Sequence, residues 1–355
     1  MKRPARAGVT PRRAFAEAPD CAPMPENRAS KLRLDLNENL LGCAPKVRAA
    51  LRRLSAEAIA TYPEKKSAIA RLAPSFGVRE DEMLVAGGID EALRLIADVF
   101  IERGRTVLLV DPTFPMYRFY AEQRDATIRA LRYDSKMRFP LRPILVELHA
   151  RPSVLFLANP NNPTGSLLGM PALGKILNAA PRTLVVVDEA YFEFSGVTIV
   201  AWIHRRRNLV VTRTFSKASG LAGLRIGCMF AHREIAKLLK RAQAPFPVGA
   251  AALAAAEASL QDRAFVRRTV REIQNGKRIL EHGLAGLGVR VFPSAANFVL
   301  ADFGAHGSAI AAALGRRGIL IRDQTSSFGR PGFVRITAGT AAQMRKFLRA
   351  LEPLL

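Results

Sequence analysis

Lys217 stands directly after a β-type apolar run that ends in hydroxyls, Leu209-Val-Val-Thr-Arg-Thr-Phe-Ser-Lys, and Gly220 and Gly223 lead from it to Arg225. A lysine where a strand meets a loop can form a Schiff base with an aldehyde once its surroundings lower its pKa. Thr212, Thr214, Ser216 and Arg225 supply hydroxyls and a guanidinium suited to an anion beside that amine. Asp188 closes the most hydrophobic run of the chain, Leu184-Val-Val-Val, and is followed by Glu189-Ala190-Tyr191. A carboxylate at the end of a buried strand is costly unless paired, so Asp188 calls for a cation, either an arginine or a protonated ring nitrogen.

Three further clusters follow, the first two with two readings each. Gly87-Gly88-Ile89-Asp90-Glu91 precedes a helical stretch, Ala92 to Phe100. It suits a phosphate held by free amides at a helix start, or simply a capped helix with acids in its first turn. In Asp111-Pro-Thr-Phe-Pro-Met-Tyr117, Phe114 can stack on a flat heterocycle or fill the core. Asn159-Pro-Asn-Asn-Pro-Thr-Gly165 carries two Asn-Pro steps and a glycine, which force an irregular loop and constrain Asn162 as a donor.

The elements that must position these residues are seven short apolar runs between Met83 and Phe230, separated by helical segments. The runs start near Met83, Val107, Thr127, Val154, Leu184, Leu209 and Ile226, and they are apolar on successive residues. That pattern predicts an α/β fold with a mainly parallel seven-stranded sheet covered by helices on both faces. The polar clusters follow the strands, where open α/β sheets bind ligands. Leu32 to Asn39 alternates and then turns polar, as a short strand ending at a site would, and Pro45 onward has helical spacing. Beyond about residue 240, two helical stretches, Val248 to Leu260 and Asp262 to Leu287, precede three β-like pieces near Val289, Asn297 and Phe333. This predicts an arm over 1–34 that is partly disordered, a large domain over 35–240 and a smaller α+β domain over 241–355.

Composition narrows the class. With 355 residues the chain needs neither disulfides nor a metal for its core, and Cys21, Cys43 and Cys228 form no Cys-x-x-Cys pair. They read as free thiols in a reducing cytoplasm, and no metal site is expected. No run approaches 18 apolar residues, which argues against a membrane helix. Met1 to Arg13 is basic without an apolar core, so it reads as a basic tail and not as a secretory signal. The formal charge of +24 is scattered in pairs and triplets such as Arg205-Arg206-Arg207. Without a basic block, zinc-finger spacing or an aromatic RNA-binding motif, it fits steering of anionic substrates better than specific nucleic-acid binding.

In combination, Asn-Pro-Asn-Asn-Pro-Thr-Gly, Asp-Glu-Ala-Tyr and Thr-Phe-Ser-Lys-Ala-Ser-Gly-Leu-Ala-Gly-Leu-Arg resemble the fold-type-I pyridoxal-phosphate aminotransferases, closest to the histidinol-phosphate aminotransferase family. The resemblance runs from about Asp35 to Thr340 and implies that Lys217 forms the Schiff base with the cofactor while Asp188 pairs with its pyridine nitrogen. It also implies that Tyr191 and Asn162 hold the phenolic oxygen, and that Phe114 stacks on the ring. The phosphate would lie among the backbone of Gly88, Ile89 and Asp90, the hydroxyls of Thr214 and Ser216, and Arg225. Tyr62 matches a tyrosine that reaches the phosphate from a neighbouring subunit, so a homodimer with shared active sites is expected. Arg335 and Arg322 match the family's substrate-anion contacts. The implied reaction is a ping-pong transfer from a small-molecule amino donor, histidinol phosphate or a relative of it, to 2-oxoglutarate.

The sequence also departs from this pattern. The first tyrosine is Tyr62, so the arm lacks the family's substrate-contacting tyrosine, Asn39 continues as Leu40-Leu41-Gly42, Phe114 stands where tyrosine is common, and Ser219 stands where an aromatic is common. Stacking survives a tyrosine-to-phenylalanine change, whereas a lost substrate contact leaves room for two alternatives: an aromatic amino acid aminotransferase, or a lyase similar to the threonine-phosphate decarboxylases.

Overall fold

The computed structural model describes residues 9, 11–16 and 27–355. Its larger sheet contains β2 (Met83–Ala86), β3 (Thr106–Asp111), β4 (Thr127–Arg132), β5 (Val154–Ala158), β6 (Leu184–Asp188), β7 (Leu209–Thr214) and β8 (Gly227–Ala231), in the order β2-β8-β7-β6-β5-β3-β4. The pairs from β7 through β4 are parallel, while β8 runs antiparallel to both of its neighbours. All seven expected runs are thus strands of one sheet. Alternate residues feed two helix-covered layers: Val85, Leu108, Leu155, Val187 and Val211 on one face, Leu84, Val107, Phe156, Val186 and Val210 on the other. Helix Ala250–Leu260 buries Ala252, Leu253, Ala255 and Ala256 in the first of these layers. Strand β4 differs from the expectation of two covered faces: as the sheet edge it is largely half-buried or exposed, which its alternation of Thr127, Arg129 and Arg132 with apolar residues accommodates.

A second sheet has the order β1-β11-β12-β10-β9, formed by β1 (Leu32–Leu34), β9 (Arg290–Phe292), β10 (Phe298–Asp302), β11 (Ile319–Asp323) and β12 (Phe333–Thr337). Its core is built from Leu280 and Leu284 of helix Arg263–Gly286, Leu314 of helix Gly307–Arg316, and Met344 and Phe347 of helix Ala341–Leu351. Five strands replace the three pieces read near the C-terminus. Strand β11 joins them, and β1 pairs with it in parallel register, Leu32 with Ile319 and Leu34 with Ile321. A three-residue strand has too little periodicity to declare its partner; the register with a segment nearly three hundred positions away is a tertiary outcome.

In the arm, Arg13–Ala16 form one helical turn, and Arg12 donates to the Gln123 carbonyl at 2.7 Å. Of the arm expected to be partly disordered, 1–8, 10 and 17–26, with most of the basic tail and Cys21, lie outside the described residues. Cys43 and Cys228 are free thiols. Among the described residues no helix is long and apolar enough to cross a membrane.

Candidate active site

The C-terminal ends of the parallel strands open into a cleft of about 920 Å³, closed on the far side by β11 and β12 of the second sheet. Ile89, Asp90, Phe114, Asn162, Asp188, Tyr191, Thr214, Ser216, Lys217, Arg225, Arg322 and Arg335 all line it. Two expected site residues do not. Gly88 stands behind the wall at φ +81°, and a Cβ there would come within 2.6 Å of Arg225 Nη2. It is therefore a close-approach glycine that lets the arginine lie across the helix start. Tyr62 is 77% exposed, away from the cleft, and its ring stacks on Phe246 at 4.1 Å.

Asp188, 5% exposed, is the last residue of β6, with Thr212 beside it in register on β7. Its Oδ1 accepts from Thr212 Oγ1 at 3.0 Å and from the Ala190 amide at 3.1 Å, and its Oδ2 accepts from the Tyr117 hydroxyl at 2.8 Å. Burial raises its pKa and these three donors oppose the rise. No ion pair among the described residues includes it, so none of them supplies the cation that the strand-end position calls for.

Lys217 Nζ donates to the Leu36 carbonyl at 2.9 Å and sits 6.0 Å from the Tyr191 ring centroid. Desolvation, helped by the charge of Arg335, lowers its pKa to about 8, as a nucleophilic amine requires. The Gly220 amide donates to the Lys217 carbonyl at 3.0 Å, and at φ +71° a side chain on Gly220 would strike the Gly42 carbonyl. Tyr191 Oη accepts from Asn37 Nδ2 at 2.9 Å, and burial raises the phenol's pKa, which keeps it neutral.

At the helix start, Arg225 Nη2 pairs with Asp90 at 3.0 Å, and Thr214 Oγ1 accepts from the Ser216 amide at 3.0 Å. Helix Gly88–Phe100 starts four residues earlier than the sequence pattern suggested, which puts Ile89 and Asp90 in its first turn, and Glu91 accepts from the Gly87 amide. The capped-helix reading is met by Glu91 on the Gly87 amide, and the exposed Arg225 lies beside the same helix start. Across the cleft, Arg335 is 7% exposed and faces Arg322 on the neighbouring antiparallel strand. Its Nη1 donates to Asn162 Oδ1 at 2.6 Å and its Nη2 to the Asp35 carbonyl, while Nε has no partner. Desolvation lowers its pKa to about 10. Like charges opposed across a sheet are unfavourable, and an anion between them would relieve the repulsion.

Sequence reasoning did not single out Tyr117, Asn37 or the Leu36 carbonyl. Asn37 links the two sheets: besides its bond to Tyr191, its amide donates to Thr337 Oγ1 at 3.0 Å, and its carbonyl accepts from Asn297 Nδ2 at 3.1 Å. The polar turn after Leu34 was a signal for this segment. Nothing in the local sequence separated Tyr117 from an ordinary core aromatic.

The donor set fits pyridoxal phosphate. A buried carboxylate with only neutral partners suits its ring nitrogen, a desolvated lysine its aldehyde, and hydroxyls with an exposed arginine at a helix start its phosphate. Fold and donors together define a fold-type-I enzyme of this cofactor. Residues 29–351 match the model of the class I and II aminotransferases, and the chain belongs to that family of pyridoxal-phosphate-dependent enzymes. Over 336 residues it is 39% identical to the histidinol-phosphate aminotransferase of Symbiobacterium thermophilum, covering 91% of this chain and 90% of that protein. A crystal structure of histidinol-phosphate aminotransferase from Sinorhizobium meliloti in complex with pyridoxal 5'-phosphate is similar with a TM-score of 0.86 and 26% identity, covering 99% of this chain and 98% of that one. L-threonine-O-3-phosphate decarboxylase from Porphyromonas gingivalis is similar with a TM-score of 0.80 and 28% identity, covering 91% of this chain and 99% of that one.

Proposed function

We propose that this aminotransferase takes its amino group from histidinol phosphate and passes it to 2-oxoglutarate, as a cytoplasmic homodimer with shared active sites. The observation that carries the substrate reading is the Arg322–Arg335 pair, opposed across β11 and β12 with Arg335 Nε unpartnered. Such a fork receives a phosphate in one half-reaction and the distal carboxylate of the acceptor in the other. The family likeness to histidinol-phosphate aminotransferases supports the same choice. For the dimer, the support is Tyr62, which is largely exposed outside its own cleft with its ring against Phe246, and would complete the phosphate site of a partner.

In this reading the cofactor, when bound, supplies an aldehyde for the donor amine and a cationic ring that takes up the electrons released at the donor's Cα. Asp188 would hold the ring nitrogen protonated, Phe114 would stack on the ring, and Tyr191 and Asn162 would hold the phenolic oxygen. The backbone of Ile89 and Asp90, with Thr214, Ser216 and Arg225, would hold the phosphate. Lys217 Nζ would accept the proton leaving the donor's Cα and hold it for return. Its lowered pKa keeps a larger fraction of the amine neutral for this work than an exposed lysine would have.

The test is the half-reaction of the loaded enzyme: histidinol phosphate converts the bound cofactor's spectrum, and 2-oxoglutarate restores it. Phenylalanine converting faster would shift the assignment to an aromatic donor, an outcome favoured by the missing arm tyrosine. Carbon dioxide released from threonine phosphate without an oxo-acid would shift it to the lyase reading, which the similarity to the decarboxylase supports.

A further inference from the structure

Tyr117 is buried completely, at the start of helix Met116–Glu122. Its ring stacks on Phe156 with centroids 5.1 Å apart and planes within 4°, and it meets the Phe114 ring edge-on at 5.6 Å. Held from both sides, the ring aims its hydroxyl at Asp188 Oδ2, 2.8 Å away. We propose that Tyr117 is a positioning residue whose hydroxyl, by donating to Asp188, keeps the proton between Asp188 and the cofactor's ring nitrogen on the nitrogen. The inference rests on the assignment of Asp188 to that nitrogen made above.

Two arrangements of one proton compete: N–H with a carboxylate, or bare nitrogen with a carboxylic acid. Burial favours the uncharged pair, and each hydrogen bond to the carboxylate favours the charged one. A lysine or arginine at this position would stabilise the carboxylate too, but it would cancel the charge that the ring nitrogen needs. A neutral donor stabilises the carboxylate and leaves its charge free. Desolvation and the neighbouring Asp188 hold the Tyr117 phenol well above its ordinary pKa, so it remains a donor. The same ring braces Phe114, so one side chain couples the nitrogen contact to the ring face.

The experiment is the ring-nitrogen chemical shift of enzyme loaded with 15N-labelled pyridoxal phosphate. Wild type is expected at the protonated value. Tyr117→Phe keeps the stack and removes the donor; its signal moves toward the unprotonated value, and kcat falls by about 10- to 100-fold, in keeping with a lost hydrogen bond to a charged group, while the donor's KM stays within about twofold. A folded Tyr117→Phe enzyme with the wild-type shift overturns the inference. Asp188→Asn separates the two levels. A nitrogen still protonated in that variant removes the assignment of Asp188, whereas a nitrogen deprotonated there but not in Tyr117→Phe removes the role of the tyrosine alone. Should Tyr117→Phe not fold, p-aminophenylalanine placed at position 117, a weaker donor of similar shape, gives a smaller displacement in the same direction, and no displacement overturns the proposal.

Discussion

Two adjacent carboxylates at the end of β6 face opposite sides of the sheet and are satisfied in opposite ways. Glu189 points away from the cleft and carries its own cation: Oε2 accepts from Arg213 Nε at 3.0 Å and from Thr198 at 2.8 Å, and Oε1 accepts from the Ile199 amide at 2.8 Å. Arg213 in turn lies 3.6 Å from the Phe192 ring centroid. Asp188, one residue earlier, faces the cleft with three neutral donors and no ion pair among the described residues. Both are buried and both have raised pKa values from desolvation. The difference is that one charge is closed within the fold, while the other is kept ionisable for a ligand. The same contrast separates Arg213, paired on its side, from Arg335, whose Nε is unpartnered on the other.

The sharpest way to break the contrast is at the amine. Lys217→Ala should lower turnover by about 10⁴-fold, the upper range for a lost proton carrier, and abolish the absorption band of the lysine-bound cofactor. Unchanged turnover would remove Lys217 from the mechanism.

Next come the paired carboxylates. Asp188→Asn should lower kcat by about 10³-fold, the scale of a lost preorganised charge, with little loss of stability. Glu189→Ala should do the reverse: it leaves Arg213 buried without its partner and costs about 3 to 5 kcal/mol of folding stability, read from denaturant midpoints, while the loaded enzyme keeps kcat within a few-fold. If both variants lost stability and activity alike, the two sides would not be functionally distinct.

On the substrate side, Arg335→Lys should lower kcat/KM for histidinol phosphate by about 10- to 100-fold, because an ammonium loses the bidentate fork. Arg322→Ala, at an exposed position, should cost about tenfold or less. An equal effect of Arg335→Lys on histidinol phosphate and on a phosphate-free amino acid donor would show that this arginine does not discriminate the phosphate of one from the carboxylate of the other.

The smallest effect expected is a pH dependence. In cofactor-free protein the folded-state pKa of Lys217, about 8, lies below the 10.5 of an exposed lysine. The amine is charged and unreactive below about pH 8 and becomes neutral as pH rises through it, so cofactor loading should accelerate across that value. Since the unfolded chain binds this proton more tightly, the group's unfavourable contribution to stability is full below pH 8 and fades as pH rises toward 10.5. Loading rates that rise only near 10.5 would contradict the desolvated environment.

Much of this was legible in the chain itself because it is local. The seven apolar runs are strands by composition, and each polar cluster that follows one is carried to the same sheet edge by parallel topology. Lys217, Asp188 and Arg225 are recognisable by what precedes and follows them. Tyr117 was not, since its meaning lies in a bond to a residue 71 positions away, and Asn37 acquires its role through Tyr191, 154 positions away. The edge character of β4 and the partner of β1 were also invisible, because strand order is set by packing between distant segments.

By itself, then, the order of residues determined that a lysine, a buried carboxylate and an anion-binding turn would each end a strand, since strand formation and chain direction are decided within a few residues. Which neighbours those groups meet was decided only by the tertiary structure. Asp188 and Glu189 are consecutive acids of nearly the same chemistry, and the pleat turns one toward Tyr117 and the cleft and the other toward Arg213. Alternation of faces makes them different, and the side that receives a cation from elsewhere in the chain is known only once the helices and strands have packed.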